Sequence, residues 1–142
     1  MKACCVVLTA LLLAASAQAR LGETEAQIAA RLGPPWSRTG DSLFNSDFTC
    51  YYRVPGFSIS VHFINGFSHN ELYSVNGRQI DPGSLRPLTT QEAESILFAN
   101  GGRSAWTRLP QSDNRHFFEY QRRDGTTGAI GRDGTHVLID RP

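Results

Sequence analysis

Residues 48–75, FTCYYRVPGFSISVHFINGFSHNELYSV, form the stretch whose period decides the fold. Phe48, Cys50, Tyr52 and Val54 alternate in its first run, and Phe57, Ile59, Val61 and Phe63 in its second. Successive Cβ atoms of a strand point to opposite sides of a sheet, so each alternating set shares one face. Pro55-Gly56 separates the first two runs, and Asn65-Gly66 separates the second from the third. Asn-Gly between alternating runs predicts a tight hairpin, because both central residues of a type I′ turn need positive φ. Asn76-Gly77 and the short run 78–80 extend the expected meander to four strands.

Capped helices are expected on both sides of this meander. Upstream, Thr24 suits an N-cap and Gln27 its reciprocal capping-box partner; Ile28 and Leu32 make an apolar stripe that Gly33 and Pro34-Pro35 end. The segment 36–45 reads as loop with room for a short edge strand. Downstream, a Pro- and Gly-containing linker at 82–87 leads into residues 88–106, LTTQEAESILFANGGRSAW. There Thr89 caps, Glu92 completes the box, Ala93, Ile96, Leu97 and Asn100 share a face, and Gly101-Gly102 stops the helix. Strand-like runs SAWTRL, HFFEYQRR, TTGAIGR and THVLID follow, with a polar loop at 111–115 and two-residue turns expected at Asp124-Gly125 and Asp133-Gly134. A capped helix followed by strands thus occurs twice. The pattern predicts an α+β domain over 20–142, built from two tandem helix-plus-antiparallel-meander halves at about 21–82 and 88–142.

Residues 1–19, MKACCVVLTALLLAASAQA, have the three-part layout of a secretory signal peptide, with basic Lys2, an apolar run and the small-residue ending Ala17-Gln18-Ala19. Cleavage after Ala19 and a periplasmic or secreted mature chain are expected. Spanning a bilayer takes about 20 apolar residues, which neither this run nor any later one supplies, so no transmembrane span is expected in the mature chain. Cys4 and Cys5 leave with the signal. Cys50 remains alone; its strand setting favours a buried small hydrophobe over an intermolecular thiol. The chain carries 14 basic and 13 acidic side chains, and the only lysine, Lys2, leaves with the signal. The near-neutral balance, with no basic cluster beyond Arg122-Arg123, argues against nucleic acid or an anionic membrane as partner.

The motif Leu21-Gly22-Glu23-Thr24, Gln27-Ile28, Leu32-Gly33-Pro34 resembles the helical start of small outer-membrane assembly lipoproteins of the SmpA/OmlA type. The doubled helix-plus-sheet plan is similar to that of the secreted β-lactamase inhibitory proteins, which are built from tandem modules of this kind. The chain departs from the first family in lacking its lipid-anchor cysteine and in continuing into a second helix and sheet. Ala99-Asn100-Gly101-Gly102 to Trp106 and the run 120–125 also resemble short uncharacterised exported proteins of environmental bacteria. These resemblances imply a non-catalytic module that binds protein or envelope components.

Chemistry is sparse. Unbroken pairing about Asn65-Gly66 would set His62 opposite His69 and Ser60 opposite Glu71, with facing Cβ atoms about 5.5 Å apart. His62, His69 and Glu71 could then share a zinc or copper ion. The alternative is a solvated polar face with Ser58, Ser60, Asn70 and Ser74, and a single bulge would break the register. His116 and His136 lie near Asp113 and Asp140 in sequence, but no pattern joins them. No GxSxG, HExxH or paired-cysteine motif is present, so no catalytic residue is assigned. Gly125, Gly128, Gly131 and Gly134 are spaced for turns and strand bends rather than a phosphate cradle. Adjacent aromatics such as Tyr51-Tyr52 and Phe117-Phe118 point to opposite strand faces, and Trp36, Tyr51, Phe67 and Tyr73 could form an exposed partner-binding patch. The expectation is an exported, non-catalytic protein-binding or inhibitor-like module of the bacterial cell envelope. The alternative is a metal-binding protein or weak metallohydrolase using His62, His69 and Glu71.

Overall fold

Reciprocal capping starts both helices. In α1 (Glu25–Leu32), Thr24 accepts from the Gln27 N–H while Gln27 accepts from the Thr24 N–H; in α2 (Thr90–Ala99), Thr89 and Glu92 do the same. Each box satisfies two of the N–H groups that a helix start leaves without an intrahelical acceptor. The computed structural model describes residues 20–40, 45–75, 87–100, 105–110 and 116–142. The expected signal peptide at 1–19, the Asn76-Gly77 turn with run 78–80, nearly all of the 82–87 linker, Gly101-Gly102, and the loop 111–115 lie outside the described residues.

Among the described residues, eight strands make up most of the regular secondary structure: β1 (Ser37–Thr39), β2 (Phe48–Val54), β3 (Phe57–Ile64), β4 (Phe67–Val75), β5 (Trp106–Arg108), β6 (Phe117–Arg122), β7 (Thr127–Gly131) and β8 (His136–Asp140). All pair antiparallel in a single sheet of order β1-β2-β3-β4-β8-β7-β6-β5. This corrects the expected fold class. The described residues are predominantly β, with two short helices on one continuous sheet, rather than two α+β halves. The joint is β4–β8, where Asn70 through Ser74 pair with Asp140 through His136. Unpaired, the nine-residue β4 would offer a long row of free backbone N–H and C=O groups. Pairing with β8 removes that edge and, among the described residues, puts the three-residue β1 and β5 at the margins.

One sheet face carries the core. Cys50 and Tyr52 lie beside Val61 and Ile59, followed across the sheet by Tyr73, Val137, Ile139, Ile130 and Tyr120. Against this face α1 sets Ile28 over β2, and α2 sets Ala93 and Leu97 over β7 and β8. Ile96 is only partly buried. Burying a leucine such as Leu97 is worth roughly 1.5–3 kcal/mol relative to leaving it in water. Gly128 is required here for close approach, since a Cβ at that position would overlap the Leu97 side chain and come within 3.2 Å of Trp106. Cys50 is a buried free thiol, and burial pushes its pKa up to about 11.

The Asn65-Gly66 turn has φ of 52° and 79°, as a type I′ hairpin needs. The two Asp-Gly turns differ from the two-residue form expected of them. At each, the non-glycine positive-φ position is absent and only Gly125 (φ 88°) or Gly134 (φ 71°) is left-handed. Gly125 N–H donates to the Arg122 carbonyl and Gly134 N–H to that of Gly131; the first turn is a three-residue loop with the left-handed glycine last, and the second a four-residue loop, 132–135, with it third. Asp124 and Asp133 stabilise them by accepting from the backbone N–H two residues on.

Candidate functional site

The three residues expected to bind metal part company at a β-bulge. From the hairpin tip, Ile64 pairs with Phe67 and Phe63 with Ser68, and then the register shifts so that His62 faces Asn70 and Val61 faces Glu71. His69 is the extra residue. A one-residue insertion exchanges the faces of everything beyond it. His62 stays on the face away from the helices, while Glu71 turns onto the helix side between Val61 and Ile139. The bulge also serves α1: Ser68 Oγ accepts from the Gly22 and Glu23 N–H groups at 2.9 and 3.1 Å, tying down the chain before the helix. Among the described residues, no group of three or more His, Cys, Asp or Glu is placed to hold a metal ion.

Glu71 sits in a polar enclosure beneath α1. Tyr73 Oη donates to its Oε2 at 3.0 Å, and Arg31 pairs with Glu23 at 2.6 Å. Burial pushes the Glu71 carboxyl up to about 7, opposed by the Tyr73 hydrogen bond and by Arg31. Burial and the neighbouring Glu71 raise Tyr73 well above its ordinary value. Glu71 Oε1 and the Arg31 Nε and Nη1 atoms are buried without a hydrogen-bond partner.

The opposite face is bare of helices among the described residues, since both pack on the core side, although Thr49, His62 and Asn70 on it are buried. Two rows cross it in register. The first, Thr49–His62–Asn70–Asp140, runs over β2, β3, β4 and β8. Thr49 Oγ1 lies 2.8 Å from His62 Nδ1, and burial lowers the His62 pKa, with Asp140 acting against it. His69 Nδ1 is 3.7 Å from Asp140 Oδ1. Asn45, His62, Ile64, His69, Asn70 and Asp140 line a cavity of about 300 Å³. Asn70 is 3% exposed, and its Oδ1 has no hydrogen-bond partner.

The second row, Tyr51–Ser60–Leu72–Leu138–Ala129–Glu119, is mixed, with Leu72, Leu138 and Ala129 at its centre. A cavity of about 290 Å³ opens at its β6–β8 end, bordered by Leu109, Glu119, Ala129 and Leu138. At the β1–β2 edge the rings of Trp36 and Tyr51 lie 5.9 Å apart, and the Arg53 guanidinium sits 4.2 Å from the centre of the Trp36 ring. Trp36 is 55% exposed.

Of the four expected patch residues, Trp36 and Tyr51 therefore come together. Phe67 is 51% exposed but stands at the hairpin end, bridged to Thr24, and Tyr73 is buried on the helix side. Tyr73 shares its face with Glu71, two residues away, so the bulge that removes Glu71 from the histidines also separates Tyr73 from Tyr51. The site residues missed in the sequence are Asn70 and Asp140, together with Leu138. Alternation in HVLID puts Leu138 and Asp140 on one face, but no local signal sets β8 beside β4. Asp113 lies outside the described residues, and His116 and His136 do not line the cavity that Asp140 lines.

These features define a two-layer class of protein, one antiparallel sheet with helices on one face and, among the described residues, a partly apolar opposite face on which no helix packs. No family model, curated protein or solved structure matches the chain. Among the described residues no helix is long and apolar enough to cross a membrane.

Proposed function

We propose that the chain is an exported, non-catalytic protein-binding module, inhibitor-like in kind, acting in the bacterial cell envelope through its bare sheet face. The observation that supports this most is the segregation of the two faces. Both helices pack on one, while the other carries Tyr51, Leu72, Leu138 and Ala129 in one register row with solvent-exposed Trp36 at its edge. Apolar surface held on rigid strands and bordered by polar groups is characteristic of protein contact sites, and tryptophan, tyrosine and arginine are the usual anchors. Export rests on the signal-like residues 1–19. The metallohydrolase alternative loses its carboxylate, because Glu71 projects into the core away from His62.

The test is affinity capture from native periplasm or culture fluid with three forms of the chain: wild type, Trp36→Ala/Tyr51→Ala, and Ser95→Arg on the exposed side of α2. A partner retained by wild type and Ser95→Arg but lost from the double alanine form is the expected result. Equal retention by all three, or loss only from Ser95→Arg, contradicts it. Metal analysis of the same preparation addresses the alternative, for which stoichiometric zinc or copper would be required.

A further inference from the structure

The cavity at the polar end of the bare face is built to accept hydrogen bonds. Asn70 is almost wholly buried, yet its Oδ1 has no partner. Leaving a buried acceptor unsatisfied costs about 1–3 kcal/mol, so this oxygen favours any donor that enters. Beside it in register stands Asp140, its side chain 47% exposed, which adds a carboxylate at the opening. His69 Nδ1, 3.7 Å from Asp140 Oδ1, forms an ion pair with it only when protonated and is too far for a direct hydrogen bond. His62 lies against Thr49, and its burial opposes protonation. Ile64 contributes an apolar wall.

An anionic, acceptor-rich recess with one apolar wall complements a cation that bears N–H groups on an aliphatic stem. We infer that this socket receives a basic side chain, lysine or arginine, of the protein partner, with its N–H groups donating to Asn70 Oδ1 and the Asp140 carboxylate. The inference rests on the bare face being a protein-contact surface, and it specifies what the partner brings to that surface. The socket adjoins the apolar row directly, since Asp140 and Leu138 share one strand face. A basic residue flanked by apolar ones is therefore the partner feature that fits.

The probes are n-butylammonium and n-propylguanidinium, mimics of the two side chains, with n-butanol as the neutral control. They are titrated into the isotope-labelled intact protein and followed by amide NMR. Saturable shifts at His69, Asn70 and Asp140 with both cations, and none with butanol, are expected. Asp140→Asn keeps the shape of a partly exposed side chain, so its melting temperature should match wild type, while cation affinity should fall about tenfold on losing a charge-assisted bond. Silence at these residues, equal shifts with butanol, or full affinity in Asp140→Asn would overturn the socket. If the cations fail to bind but capture is still lost from Trp36→Ala/Tyr51→Ala, the socket falls and the contact face stands. If they bind while capture ignores those substitutions, the contact reading falls, and with it the partner's side chain as the occupant.

Discussion

The two faces of the sheet are built from the same alternating strands but solve opposite problems. On the helix side, Ile28, Ala93 and Leu97 close over an apolar layer so tightly that Gly128 has no room for a Cβ. On the bare side, the same strands present half-buried Leu72, Leu138 and Ala129 with no helix over them among the described residues, beside a buried asparagine whose acceptor is unused. The helix side is where stability resides, even though it too buries unpartnered polar atoms, Glu71 Oε1 among them; the bare side adds half-buried apolar surface to its own unpartnered Asn70 Oδ1. Substitutions on the helix side should therefore affect folding first, and those on the bare side binding first.

The largest effect is expected from Leu97→Asp, which places an unpaired charge in the α2–sheet contact and should leave no folded protein by circular dichroism. Ile96→Asp, one residue earlier and only partly buried, should be markedly milder. Equal damage from the two would break the assignment of the covered face.

Glu71 gives the next effect, read through pH. Its folded-state pKa of about 7 lies above its ordinary value of 4.5. Between these values the folded chain holds a proton that the unfolded chain has lost, so stability falls as pH rises through this window and is level above it. The full loss is about 3 kcal/mol, from roughly 1.4 kcal/mol per pKa unit. Denaturant melts from pH 4 to 8 should show this decline in wild type and a flatter profile in Glu71→Gln. Identical profiles would place Glu71 outside the covered face. Gly128→Ala should cost about 1–3 kcal/mol through overpacking against Leu97. Thr89→Ala should cost about 1 kcal/mol by removing the α2 cap.

Locally encoded features were legible in the sequence, and features that depend on distant pairing were not. The runs Phe48–Val54, Phe57–Ile64 and Phe67–Val75 coincide with β2, β3 and β4, and both capping boxes form on the residues that the spacing named. Alternation and capping are properties of neighbouring residues, so a sequence displays them. The β4–β8 joint pairs Leu72 with Leu138 across a long stretch of chain, and nothing near either residue announces it. That joint turns two expected halves into one sheet and brings Asp140 beside Asn70. The bulge at His69 is equally silent, because the tight hairpin tip fixes register for only two pairs before the shift. Its effect on the site is complete: Asn70, by sequence one polar residue among several, becomes central, while Glu71 moves to the core.

The smallest expected change in stability belongs to the bare face and carries the central claim. Leu138→Arg alters an incompletely buried position in the middle of the apolar row, so its stability should lie within about 0.5 kcal/mol of wild type. Ser95→Arg makes the same charge change on the outer surface of α2. The decisive measurement is the affinity of the captured partner for these two variants, each first shown to melt like wild type. Loss of binding by Leu138→Arg with full binding by Ser95→Arg is the predicted result. Undiminished binding by Leu138→Arg would show that the uncovered sheet face is not the surface through which this protein acts.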